Sequence, residues 1–286
     1  MRLVTGLAAA LVVAGAGSVV SADVIYQDTF SYGTSAGVPL NSHAPEIAPA
    51  GVTNYLVGPS LVATAAHIAT TASAATNAGA YVPFTPVSGK IYTVTCDLIG
   101  PASVPSGDII DVTFLSDYPA PNTAGNNGLD SSGHQITTYN TTPTDVIFQA
   151  GVWTGGVAYF NLKYLVSTGK GTFVPDVAWD PNNNNWSSYN FGKPIANNTN
   201  TVKIILDTTG ATETYQFFLN NTLAGHGTFA GNNIHAVGFG GGVGNGTSGG
   251  YIPGFDNFSV TVVPEPASLA LLALGGILIL APRRRA

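Results

Sequence analysis

Between residues 23 and 263 the apolar residues come in short runs, and no segment of convincing length repeats at the period of a helix. In 90–99, Tyr92, Val94, Cys96 and Leu98 alternate with Ile91, Thr93, Thr95 and Asp97. Successive side chains of a strand point to opposite faces, so this is the pattern of a half-buried strand. Phe258, Val260 and Val262 keep the same period near the end. Further β-rich runs fall at 24–30, 109–115, 145–153, 157–164, 201–207, 214–219, 235–239 and 255–263. They are bounded by Gly, Pro, Asn and Asp, which the chain holds in quantity, with 35 Gly and 18 Pro. Thr208-Thr209-Gly210-Ala211 between two of the runs predicts a hairpin. Many short strands with such punctuation predict an all-β fold, an antiparallel β-sandwich of jelly-roll type. Residues 61–78, rich in Ala and Thr, read either as a short helix or as a strand with a loop. No linker or repeat divides the segment, and about 240 residues suit one large sandwich. Cys96 stands alone, which excludes an internal disulfide and suits a small buried hydrophobe.

The two ends differ from the middle. Residues 1–22 open with Arg2, continue with a nearly unbroken Ala/Val/Leu/Gly run, and close on Ala22 before the polar Asp23. This predicts a secretory signal cut by signal peptidase between Ala22 and Asp23, with a retained anchor as the alternative. At the other end, residues 267–280 carry no charge. As a helix they would extend only roughly 21 Å, against a hydrocarbon core of about 30 Å. Arg283, Arg284 and Arg285 follow, and positive residues stay on the cytoplasmic side, so the preceding domain lies outside. Two prolines in Pro264-Glu265-Pro266 hold the intervening chain extended and open to a processing enzyme.

Val263-Pro264-Glu265-Pro266-Ala267, the short apolar helix and the Arg cluster together resemble the PEP-CTERM sorting tail. The resemblance implies recognition by an integral-membrane exosortase, in a bacterium that secretes exopolysaccharide, with the sorting residues Pro264, Glu265, Pro266, Arg283, Arg284 and Arg285. The expected organisation is therefore a signal peptide over 1–22, an exported sandwich over 23–262 and a sorting signal with a short transmembrane helix over 263–286. The product is expected at the cell surface or outside the cell.

The exported part holds twelve Asp, Glu46 and Glu213 against five Lys and no Arg. Phosphate backbones require basic partners, so nucleic acid is excluded as a ligand. The Asp-Thr-Phe of 28–30, the hairpin VKIILDTTGATETYQFFLNNTLAG and the closing Gly-Phe-Asp-Asn-Phe-Ser-Val resemble laminin-G or concanavalin-A-like jelly rolls. That resemblance implies two curved antiparallel sheets, with carbohydrate as the common ligand class. It also implies a structural calcium held by Asp256 of the last strand with Asp28 of the first. Trp179, Trp186 and Tyr189 lie in the Asn-rich stretch VAWDPNNNNWSSYNFG. Aromatic faces and amides suit sugar rings, so these three are the expected ligand-binding residues, with exopolysaccharide the expected partner. Inward packing that pins the loop to the core is the competing reading.

Two catalytic patterns compete with this. Retaining glycosidases need two carboxylates about 5–5.5 Å apart. Glu46 and Glu213 are distant in sequence, and Asp108 and Asp111, three apart on a strand, would face opposite sides. Thr64-Ala65-Ala66-His67 and Gly246-Thr247-Ser248-Gly249-Gly250 are similar to the histidine and nucleophile motifs of trypsin-like proteases. The alternative function is thus an exported serine protease using His67, Asp108 or Asp111, and Ser248. It departs from the family at Thr247, and only residues 251–263 remain to build a specificity pocket. The expectation is a chain that is not an enzyme. His43, His134, His226 and His235 show no metal spacing, and Gly33 to Gly37 reads as a turn.

Overall fold

The computed structural model describes residues 22–57, 61–66, 69–71, 77–99, 109–115, 146–153, 157–161, 171–175, 187–190, 199–229, 234–242 and 254–264. Short alternating runs ended by turn residues give short strands. In chain order these are β1 (Asp23–Asp28), β2 (Val38–Pro39), β3 (Leu56–Val57), β4 (Leu61–Ala63), β5 (Ala69–Thr71), β6 (Asn77–Pro83), β7 (Lys90–Ile99), β8 (Ile109–Leu115) and β9 (Val146–Trp153). They continue with β10 (Val157–Asn161), β11 (Gly171–Pro175), β12 (Ser187–Asn190), β13 (Thr199–Asp207), β14 (Glu213–Leu219), β15 (Thr222–Phe229), β16 (Ala236–Gly242) and β17 (Gly254–Pro264). The only helical turn among the described residues is a 3-10 turn at Leu40–Ser42.

Two antiparallel sheets result, as expected. One runs β11-β15-β14-β13-β7-β17-β5-β4-β2, with β1 also paired to β17; the other runs β12-β10-β9-β8-β16-β6-β3. The first and last strands meet, Asp28 standing opposite Phe258 and Asp23 opposite Val262. The predicted hairpin joins β13 to β14, with Asp207 opposite Thr214. Asn220 and Asn221, both at positive φ, turn β14 into β15. Asn tolerates that left-handed region better than most residues.

The alternation of β7 becomes a burial alternation: Tyr92, Val94, Cys96 and Leu98 are buried, while Thr93, Thr95 and Asp97 are partly exposed. Val202, Ile204 and Leu206 of β13 and Phe255, Phe258 and Val260 of β17 line the same side. The opposite wall is Ala80, Val82, Val112, Phe114, Val237 and Phe239 of the other sheet. Phe239 ties the walls together. Its ring lies 4.8 Å from Phe255 and 5.2 Å from Phe258, and meets Phe30 and Tyr55 edge-on at 5.8 Å. Such aromatic pairs add stabilisation beyond the area they bury. Cys96 is fully buried, and burial holds its thiol well above the usual range.

Several details depart from the expectations. Residues 61–78 hold no helix among the described positions but supply β4, β5 and the start of β6. The Gly-rich stretch after Phe239 does not leave the sheet at once, because β16 continues to Gly242. The stretch expected as a binding loop carries Tyr189 on a strand, β12. Strands β11 and β15 were not anticipated at all. Residues 1–21, Glu265, Pro266, the apolar run 267–280 and Arg283, Arg284 and Arg285 lie outside the described residues, as do Trp179, Trp186, His67, Asp108 and Ser248. Among the described residues no helix is long and apolar enough to cross a membrane. Ala22 immediately precedes β1, and Pro264 is the final residue of β17, opposite Lys90.

Candidate functional site

The seven-stranded sheet has one face against the core and one turned away from it. Directly opposed residues of an antiparallel pair share a face. The row Ala80–Phe239–Val112–Ala150–Phe160–Ser187 contains the buried core residues Ala80, Val112 and Phe239 and so marks the inner face. The rows between belong to the other face. One is Tyr81–Gly238–Thr113–Gln149–Asn161. The next is Gly79–Gly240–Asp111–Gly151–Tyr159–Ser188. The third is Asn77–Gly242–Ile109–Trp153–Val157–Asn190. Asp111, Gln149, Trp153, Tyr159, Asn161 and Ser188 thus share these register rows with Gly79, Gly151, Gly238, Gly240 and Gly242.

Two of these glycines are required by what lies on them. A Cβ at Gly238 would come within 2.6 Å of Tyr81 Cδ1 and 1.9 Å of the Ala80 carbonyl oxygen. One at Gly79 would meet Tyr81 Oη at 2.8 Å and Cε2 at 2.9 Å. The Tyr81 ring therefore lies down across its own strand and the next one. Tyr81, Gly79, Gly238 and Gly240 are all buried, so protein covers this end of the face.

The register redistributes the expected ligand residues. Tyr189 stands opposite Ala158, which stands opposite Val152, and this row belongs to the inner face. Trp153, at the end of the run 145–153, falls on the outer rows with Asp111. Tyr159, Gln149, Asn161, Ser188 and Asn190 belong to no motif in the sequence. Their clustering depends on pairings between distant segments, which local spacing does not carry.

The expected calcium pair is placed as follows. Asp28 is fully buried at the end of β1. Its Oδ1 accepts the Phe30 N–H at 2.8 Å, and its Oδ2 accepts the Tyr55 hydroxyl at 3.0 Å and the Tyr32 hydroxyl at 3.2 Å. Burial pushes the Asp28 carboxyl up to about 6, against the lowering pull of those three donors. Tyr55 and Tyr32 are pushed up in turn, by burial first and by the Asp28 charge second. Outside this pocket the His43 ring stacks on Tyr32 at 4.2 Å. Glu46 accepts from Thr29 at 2.9 Å and from the Ser31 N–H at 3.1 Å, and also takes the Ser31 hydroxyl. Its slight burial raises its carboxyl, but these donors outweigh that and hold it below the usual range. Asp256 Oδ1 accepts the Asn257 N–H at 2.7 Å, and its strand partner is Asp97. Among the described residues no group of three or more His, Cys, Asp or Glu side chains is placed to hold a metal.

The protease alternative gains no support. Of its residues only Asp111 is described, on β8 in the outer rows of the seven-stranded sheet.

No protein-family model matches the chain, and no curated protein matches its sequence. Solved structures do resemble it in outline. An endo-1,3-beta-glucanase from Streptomyces sioyaensis is 13% identical over 85% of this chain and 97% of its own, with a TM-score of 0.49. The Emp46p carbohydrate recognition domain in its potassium-bound form is 8% identical over 79% and 95%, at 0.46. Lectin II from Ulex europaeus is 14% identical over 78% and 96%, at 0.44. At these values the likenesses decide neither activity nor ligand. They do correct one expectation: with a glucanase among them, the exclusion of enzyme activity is withdrawn.

Proposed function

We propose that this chain is an exported, tail-sorted surface protein whose sandwich binds carbohydrate on the outer face of the seven-stranded sheet. The observation that carries the binding is the register that collects Tyr159, Trp153, Gln149, Asn161, Ser188 and Asp111 over glycine positions on one face. Sugar rings present C–H faces that stack on aromatic rings, and equatorial hydroxyls that pair with amides and hydroxyls. The sorting half rests on the tail: Pro-Glu-Pro, a short apolar run and three arginines in order. On this reading the signal peptide is removed after Ala22, an exosortase acts at the Pro264-Glu265-Pro266 motif, and exopolysaccharide is the partner.

The test is an array of neutral polysaccharides and oligosaccharides probed with the purified exported domain and with Tyr159→Ala and Trp153→Ala. Removing one stacking ring should weaken binding at least about 10-fold, since base or sugar stacking on an aromatic is worth about 1–3 kcal/mol. Absence of binding to every glycan would overturn the reading. So would unchanged binding by both variants with circular dichroism spectra matching the parent.

A further inference from the structure

The exported part begins and ends at one place on the sandwich. Asp23 opens β1 opposite Val262 of β17, and Pro264 closes β17 opposite Lys90 of β7. β1 and β17 are antiparallel, so the start of one lies beside the end of the other. In the sequence, Val20 ends an apolar run three residues before Asp23, and Ala267 begins another three residues after Pro264. Three residues of fully extended chain span at most about 11 Å. A run that enters a bilayer at Ala267 therefore holds Pro264, and the end of the sheet with it, close to the bilayer surface. This inference rests on the reading of 267–280 as a membrane segment and adds how the sandwich stands on it.

That end of the sheet is a rigid foot. Ile91 faces Asp207 across β7 and β13, and Asp207 faces Thr214 across β13 and β14, so the 208–212 turn lies there too. The turn that precedes β7 is fastened to it. The Gly89 N–H donates to the Thr208 carbonyl at 2.8 Å, and the Thr208 hydroxyl lies 2.8 Å from the carbonyls of both Val87 and Lys90. The Val87 N–H donates to the Tyr92 hydroxyl at 2.8 Å. Thr208 is buried, whereas the Val87 side chain is 60% exposed; Val24, opposite Thr261, is 42% exposed. Thr85, Ser88, Gly210, Ala211 and Thr212 are exposed as well. Neither turn, 85–89 or 208–212, contains a charged residue, so contact with lipid headgroups desolvates no ionised side chain of either. Within its sheet β17 has β7, β13, β14, β15 and β11 on one side and β5, β4 and β2 on the other. The tether thus leaves from an inner strand, which keeps the sheet upright; one leaving from an edge strand would let it lie down.

We propose that the precursor rests on the membrane lipid through this end of the sandwich, with the 85–89 and 208–212 turns against the headgroups and the strands rising away from the surface. The two apolar runs then reach the bilayer from neighbouring strands.

The experiment uses the full chain in vesicles of phosphatidylethanolamine and phosphatidylglycerol that carry a spin-label quencher on the headgroup. Cys96 is the one native cysteine and is buried, so a bimane fluorophore reacts with an introduced cysteine. Ser88→Cys and Thr212→Cys report on the foot, and either suffices if the other fails to fold. Thr199→Cys, at an exposed position that starts β13, reports on the far end. Flotation with the vesicles shows that the chain is held by the membrane. Bimane at the foot should be quenched at least about 3-fold more strongly than bimane at Thr199, because the length of β13, about 27 Å from Asp207 to Thr199, separates the two ends. Equal quenching at both ends, stronger quenching at Thr199, or no quenching of any label in a floated chain overturns the inference and leaves the tail standing as a membrane anchor. A chain that does not float with the vesicles overturns the membrane reading of the tail and this inference together.

Discussion

A single buried carboxylate, Asp28, fastens the segment after β1 to the interior, and its titration is exposed to measurement. Its carboxyl sits near 6 in the folded chain, raised by burial from 3.8. The folded state therefore holds the proton more tightly than the unfolded state does. Stability from this group is fully present below about pH 4 and is lost as pH rises through about 6. The span corresponds to on the order of 3 kcal/mol at most. Glu46 works with the opposite sign, since its carboxyl is held low; its contribution is present above the usual carboxylate range and is lost as pH falls below it. Between about pH 5 and 7, Asp28 is thus the group of this pair that sets the slope. Urea unfolding at several pH values should show stability rising as pH falls across that window, and Asp28→Asn should flatten the rise. Asp28→Ala should cost about 2 kcal/mol or more, because it strands the Phe30 N–H and the Tyr55 hydroxyl in the interior. A parent slope of the opposite sign, or one that Asp28→Asn leaves intact, would contradict this account. The sequence pointed to Asp28 through its place in the first strand, but not to its partners. Tyr32 and Tyr55 reach it from later turns that no spacing rule connects to it.

At the level of strands, the alternation in 90–99 and 201–207 announced itself because each buries one face and leaves Thr, Asp or Lys on the other. Strand β15, TLAGHGTF, did not, and its neighbour explains why. Tyr215 of β14 extends over Gly227 to donate its hydroxyl to the Thr172 carbonyl on β11 at 2.5 Å. A Cβ at Gly227 would lie 2.6 Å from that hydroxyl and 1.9 Å from the carbonyl oxygen. The strand keeps a small residue where alternation would call for a large one, so the apolar signal is erased. Gly227→Ala should destabilise the domain by about 1–3 kcal/mol, the usual cost of overpacking. Tyr215→Phe should cost about 1 kcal/mol, the net worth of one hydrogen bond. Combining the two should cost less than their sum, because removing the hydroxyl relieves part of the clash. Chemical denaturation of the four proteins reads this directly, and strict additivity would show that Gly227 and Tyr215 do not share the constraint. The same logic limited the reading of the outer face. Asp111 was visible as an acid, but its glycine neighbours come from β16 and β9, and only the register brings them beside it.

For the whole molecule, the sandwich closes through its last strand. β17 runs beside β7 over most of its length and takes β5 and β1 on its other side. It carries Phe255, Phe258 and Val260 into the core, all fully buried. Burying side chains of this kind is worth about 1.5–3 kcal/mol each. Their sum is comparable to the entire stability of an ordinary domain, about 5–15 kcal/mol. A chain ending at Pro253 should therefore fail to fold, giving no cooperative melting transition. A chain ending at Pro264 keeps every pairing of β17 and should melt at the same temperature as the full-length protein. The pair of truncations bears on sorting as well as on folding. If the tail is a detachable label, the boundary between cargo and label must fall at or just after the final residue of β17, where the Pro-Glu-Pro motif begins. Loss of folding on removal of 265–286 would make the tail part of the sandwich. An exosortase could then not detach it without unfolding the product, and the sorting half of the proposed function would fail while glycan binding by the intact chain stayed open to test.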